Sequence, residues 1–222
     1  MIMPTTRRKL PVALYIPNLM GYTRILLAFV GLYVSSSKPV TAIWIWLASA
    51  SFDAFDGIVA RSLGQTSSLG ILIDICADNI LRSSVWMAAA TSRNDPMTTI
   101  LACFFTSVEW TTMMATQLSA DIHWKHERHE DPWLIRTCFR NNFRNPLGFL
   151  VMYGLFSAGM WTFGQDYQVF HDSIPFFEMW RYLSYVGRVI ALCIELWMCL
   201  QCVSTVIEKD TKQGNELVAK QI

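Results

Sequence analysis

Residues 51–79 read "SFDAFDGIVARSLGQTSSLGILIDICADN" and set four aspartates, Asp53, Asp56, Asp74 and Asp78, in an otherwise apolar stretch. Asp53 and Asp56 are spaced i, i+3 and Asp74 and Asp78 i, i+4, so in a helix each pair occupies one face. The polar joint "SLGQTSS", residues 62–68, lets two helices run antiparallel and bring the pairs together. An ionisable side chain in a membrane helix costs about 2.5–3.5 kcal/mol at the helix centre, so such residues mark function. Four carboxylates this close repel one another and call for a counter-charge. Divalent cations supply it, and an all-oxygen donor set favours Mg2+ or Mn2+.

The neighbours of the acids read as a substrate site. Gly57, Ala60 and Arg61 continue the Asp53/Asp56 face, and Gly70 opens the Asp74/Asp78 face one turn earlier. Small residues let a ligand approach the backbone, and Arg61 carries a planar fork that matches phosphate oxygens.

The rest of the chain supplies a membrane setting. Of 222 residues 53% are hydrophobic, and they gather in blocks of roughly 17–25, the length that crosses a bilayer core as helix. Spans are expected at 22–37, 39–62, 68–91, 96–119, 146–164 and 175–206, the last long enough to tilt or run into water. The expected fold class is therefore all-α, a polytopic membrane protein of six transmembrane helices with a polar active-site cavity on the cytosolic side. Its catalytic hairpin is 39–91 and its one long cytosolic loop 120–145. Residues 1–21 form a cytosolic or interfacial segment, 22–206 the membrane domain, and 207–222 a cytosolic tail. With both termini cytosolic, twelve Lys and Arg residues fall on the cytosolic side and only Lys38 and Arg93 opposite, as the positive-inside rule requires. Nine tryptophans and seven tyrosines, many near block ends, suit interfacial belts.

Other features are quieter. A net charge of +1 gives no reason to expect nucleic acid. Six cysteines show no metal-ligand spacing and read as small apolar residues within the blocks. Prolines break the segment after "TTRRKL", so no cleavable leader is expected. His123, His126 and His129 alternate with acids and bases in "HWKHERHE" and read as a solvated, salt-bridged segment, with no metal assigned.

The run D-x2-D-G-x2-A-R-x8-G-x3-D-x3-D, from Asp53 to Asp78, resembles the signature of the CDP-alcohol phosphotransferases without a gap or substitution. The resemblance implies a six-span helical enzyme, usually a homodimer, that holds two metal ions with the four aspartates. By position, Asp53, Asp56 and Asp74 would be metal ligands, and Asp78 both ligand and general base. Gly57, Ala60 and Arg61 would contact the CDP moiety of CDP-diacylglycerol, with Gly70 beside them and Ser67 where relatives place a nucleotide-contacting hydroxyl.

A second segment, "YIPNLMGYTRI" at 15–25, is similar to the opening of the eukaryotic phosphatidylinositol synthases. There Asn18 offers a polar contact and Arg24 a buried cation suited to substrate phosphates. This resemblance implies myo-inositol as the acceptor and the endoplasmic reticulum as location, and it covers residues 15–90. In the fourth span, where that family carries D-x2-S-H-W, this chain has Glu109, Thr112 and Met113; Glu195 stands where its last span is basic. Glycerol 3-phosphate and serine therefore stay open as acceptors. A catalytically silent lipid-binding relative and an ion transporter are the readings from other classes. Along the last helix Glu178, Arg181, Arg188 and Glu195 either pair across the bundle or line the acceptor pocket. Arg136, Arg140 and Arg144 approach the fifth span from the cytosol, as phosphate or lipid-headgroup contacts.

Overall fold

The computed structural model describes residues 11–118, 131–141, 143–167, 169 and 176–219. His123, His126 and His129 lie outside the described residues. The described chain is helical, with no strand among the described residues, and it divides into two compact units, Met1–Ala88 and Ala89–Ile222.

The first unit holds a short turn at Val12–Leu14, then α1 (Ile16–Val34), α2 (Pro39–Ser62) and most of α3 (Ser68–Arg93). α1 begins six residues before the expected span. Pro17 in its first turn lacks the N–H that would go unpaired there, and the Ile16 N–H donates to Gln65 Oε1 at 2.9 Å. α1 and α2 pack closely because Gly31 leaves room for the Trp46 indole. That indole N–H donates to the Ala28 carbonyl at 3.2 Å, and the Ser49 hydroxyl donates to the Arg24 carbonyl at 3.1 Å. These contacts fix the rotation of α2 about α1, and with it the direction in which Asp53 and Asp56 face.

The α2–α3 turn is built at both ends. Gly64 adopts φ +61°, its N–H donates to the Arg61 carbonyl at 3.3 Å, and the Gln65 N–H donates to the Ala60 carbonyl at 2.9 Å. This pair of bonds is a Schellman stop, which needs the left-handed residue that glycine tolerates. Ser67 then caps α3, its hydroxyl oxygen accepting the Gly70 N–H at 3.0 Å.

The second unit contains α4 (Pro96–Leu118), α5 (Trp133–Phe139), α6 (Pro146–Asp166) and α7 (Phe177–Ala219). Asp95 accepts the Thr98 N–H at 2.9 Å to start α4, and Asn145 accepts the Gly148 N–H at 2.8 Å to start α6. Where α6 crosses α7, Gly154 faces Gly187 and a methyl group on either would meet the other helix's backbone. Ile135, Cys138 and Phe139 of α5 join Val151, Ala191 and Ile194 in one buried cluster. The connection expected as a long loop thus contains a helix in its described part. At seven residues α5 is too short for its apolar face to register as a period.

α2, α6 and the Phe177–Lys212 part of α7 are long and apolar enough to cross a membrane. α1, α3 and α4 run 19, 26 and 23 residues but fall short in apolarity; α3 alone carries Asp74, Asp78, Arg82 and Arg93. The outer faces are oily. Leu26, Trp44, Leu200 and Val203 are more than half exposed, which a water-soluble surface of this extent does not tolerate. All six cysteines are free; Cys138 and Cys202 are buried, while Cys103 and Cys193 lie on exposed helix faces. An apolar exterior accommodates a thiol as readily as a core does.

Candidate functional site

The hairpin brings the four aspartates to α1, and Arg24 meets them there. Arg24 is fully buried. Its Nη1 lies 2.9 Å from Asp53 Oδ1, 3.0 Å from Asp56 Oδ2 and 2.6 Å from Asp74 Oδ1, and its Nη2 pairs with Asp78 Oδ1. The second Asp78 oxygen lies 3.8 Å from Arg82 Nη1 one turn further along α3. One carboxylate oxygen each from Asp53, Asp56 and Asp74 lie within 4.8 Å of one another. Such a convergence of hard oxygen donors fits a divalent cation, and Asp78 joins the group through the same guanidinium.

Side-chain exposure grades across the site. Asp53 and Asp74 are 39% and 44% exposed, whereas Asp56 and Asp78 are 13% and 22%. One member of each helical pair faces outward and the other faces Arg24 and the helix contacts, so the cluster has an open side and a supported side.

A cleft of about 210 Å3 between α1, α2 and α3 runs up to the acids. Its walls include Asn18, Gly57, Ala60, Arg61, Ser67 and Gly70, and Asp56 and Asp74 close one side. The residues expected from sequence to contact CDP therefore share one cavity, apart from Arg24, whose fork is engaged by the acids. Gly70 keeps this wall open: a methyl group there would sit 2.9 Å from Asn18 Oδ1 and 3.2 Å from Ser67 Oγ. Asn18 is buried; its amide nitrogen donates to the Val12 carbonyl at 2.6 Å, and Oδ1 has no partner. An unpaired buried acceptor beside a cavity is set to receive a ligand N–H or O–H. Gly21 serves packing, since a methyl group there would run into Ile73 of α3.

Sequence reasoning missed Arg82, although its i+4 spacing from Asp78 was readable. It also missed Gln65, which ties the hairpin turn to the start of α1. For the charges of α7 the structure chooses pairing. Arg188 Nη1 lies 2.9 Å from Glu195 Oε2 and its Nη2 3.1 Å from Glu109 Oε1, with the guanidinium 4.2 Å from the centre of the Phe105 ring. All three charged residues are buried. Glu178 pairs with Arg181 on the same helix.

The CDP-diacylglycerol–inositol 3-phosphatidyltransferase of Schizosaccharomyces pombe is 28% identical over 58% of this chain and 55% of its own length. An Arabidopsis thaliana protein, CDP-diacylglycerol–inositol 3-phosphatidyltransferase 1, is 32% identical over 60% of this chain and 59% of its own. The Homo sapiens protein of that name is 42% identical over 65 residues, 29% of this chain and 30% of its own. The match thus spans between 30% and 59% of the length of these curated relatives. No solved structure matches. The family model for CDP-alcohol phosphatidyltransferases matches residues 14–162. That match covers more than half of the 222 residues and takes in α1, the aspartate hairpin and the cleft, so the chain belongs to the CDP-alcohol phosphatidyltransferase family.

Proposed function

We propose that this protein transfers a phosphatidyl group from CDP-diacylglycerol to myo-inositol, giving phosphatidylinositol and CMP. The observation that carries the reading is one site in which four aspartates converge on Arg24 beside a cleft lined by Gly57, Ala60, Arg61, Ser67 and Gly70. The names of the similar proteins support the choice of donor and acceptor.

Asp53, Asp56, Asp74 and Asp78 would hold Mg2+ or Mn2+. When bound, the ions would neutralise the pyrophosphate and stabilise CMP as leaving group. The chain's own groups do the rest. Gly57, Ala60 and Gly70 admit the nucleotide close to the helix backbones, and Asn18 Oδ1 and the Ser67 hydroxyl offer it polar contacts. Arg61 pairs with phosphate oxygens. Asp78 takes the proton of the acceptor hydroxyl. The hydroxyl oxygen bonds to the phosphorus that carries diacylglycerol, and the bond from that phosphorus to the CMP oxygen breaks. Arg82 orients the Asp78 carboxylate from the side away from Arg24.

The same reading takes the chain as a six-span membrane protein of the endoplasmic reticulum, with both termini cytosolic, a cytosolic active-site cavity and a homodimeric state. Three helices apolar enough to span support the membrane location.

A second acceptor is favoured by one observation. Glu109 and Glu195, two of the four positions that depart from the inositol enzymes beside Thr112 and Met113, both engage Arg188, so these two departures form one charge group. Such a change suits a related phosphatidyltransferase acting on glycerol 3-phosphate or serine. Purified protein given CDP-diacylglycerol with each alcohol in turn separates the two. CMP release with inositol alone supports the first reading. Release with glycerol 3-phosphate or serine, and none with inositol, establishes the second.

A further inference from the structure

The contacts of Arg24 are unbalanced in a way that points to a second role. Nη1 carries two hydrogens but meets three carboxylate oxygens, hydrogen-bonding Asp56 and Asp74 and holding Asp53 by charge alone. Nε, equally buried, has no partner. A single guanidinium charge faces four aspartates, and Arg82 lies 3.8 Å from Asp78. The guanidinium also contacts the same three aspartates, Asp53, Asp56 and Asp74, that can each offer an oxygen within 4.8 Å of the others. A cation and a guanidinium compete for one set of lone pairs there, and a divalent ion brings twice the charge and up to six coordination positions.

We propose that Arg24 is the resident counter-cation of the aspartate cluster, holding the acids together in the metal-free protein and yielding that place when a divalent cation binds. This rests on the metal-dependent reading of the four aspartates and adds an exchange to it. Without ions, Arg24 keeps the α2–α3 hairpin from being pushed apart by its own acids and ties it to α1. With ions bound, the guanidinium is released from the acids while still buried next to them. Metal entry is then opposed by Arg24, and the metal-free fold depends on it.

The test uses detergent-purified full-length protein, with no substrate present. Melting is followed with and without Mn2+, and Mn2+ binding is measured calorimetrically. Arg24→Met is expected to melt below wild type when metal-free, to gain more from Mn2+ than wild type does, and to bind Mn2+ about tenfold more tightly. Arg24→Lys keeps the charge and is expected to stay near wild type in both measurements. If Arg24→Met does not accumulate, Arg24→Gln carries the test, since it keeps an amide donor without the charge. Mn2+ affinity in Arg24→Met or Arg24→Gln equal to or weaker than wild type overturns the exchange. So does failure of both variants to fold in saturating Mn2+, because the ion then does not replace the guanidinium. Wild type that binds no Mn2+ overturns the exchange and the metal-dependent reading together, whereas wild type that binds it with unaltered variants overturns the exchange alone.

Discussion

Asp78 and Gly70 are the residues on which the chemistry can be tested one atom at a time. Asp78→Asn removes the proton acceptor while keeping its size, and is expected to lower CMP release by about 10²–10⁴-fold. Its melting temperature should stay within a few degrees of wild type, and a variant with unchanged turnover would remove Asp78 from the proposed mechanism. Gly70→Ala acts differently. The added methyl group meets Asn18 Oδ1 and Ser67 Oγ, so it should raise KM for CDP-diacylglycerol more than it lowers kcat. An unchanged KM would mean that the nucleotide does not occupy this cleft. At this scale the sequence was legible where spacing alone determines which residues meet. The i, i+3 and i, i+4 pairs, the small residues beside them and Arg61 all meet where a helical hairpin must bring them. The engagement of Arg24 was not legible, because nothing within residues 15–25 says which side chains from α2 and α3 will lie opposite a buried cation.

The α2–α3 hairpin is the element that makes four separate acids into one site, and Gly64 is its weakest link. At φ +61° a side chain strains the backbone by about 1–2 kcal/mol. Gly64→Ala is therefore expected to lower the melting temperature by several degrees and to weaken Mn2+ binding, because the acids lose their register. Unchanged melting together with unchanged Mn2+ affinity would show that the turn does not set the site. The ends of α2 and α3 follow from local rules: Gly64 is the stop residue and Ser67 the cap, both readable in "SLGQTSS". α1 starts earlier than hydropathy indicated because Pro17 and the Gln65 contact begin the helix before the apolar block does. α5 escaped notice because seven residues are too few for Ile135, Cys138 and Phe139 to register as a helical face.

On the scale of the whole molecule, buried charges among the described residues meet opposite charges, and each unit has its own case. In the second unit Arg188 bridges Glu109 and Glu195. Removing one partner from a buried group leaves an uncompensated charge, at a cost of about 3–5 kcal/mol. Arg188→Met is expected to destabilise strongly, and the triple replacement by Met, Gln and Gln at positions 188, 109 and 195 to recover much of the loss. If the triple variant melts no higher than Arg188→Met, the three charges are not coupled. Pairing was one of two readings open in the sequence for Arg188 and Glu195, and the part of Glu109, on a different helix, was not legible there. The all-helical architecture followed directly from the long apolar blocks; which of those blocks cross the bilayer depends on how α1, α3 and α4 share their polar residues with neighbours. The most direct test of the central claim is a stoichiometric one. Purified protein is stripped of metal, given CDP-diacylglycerol and labelled myo-inositol, and then given Mg2+ or Mn2+. The account predicts no product before the metal is restored, and afterwards one labelled phosphatidylinositol for each CMP released. CMP released without labelled phosphatidylinositol, or product formed equally in the absence of metal, would contradict it.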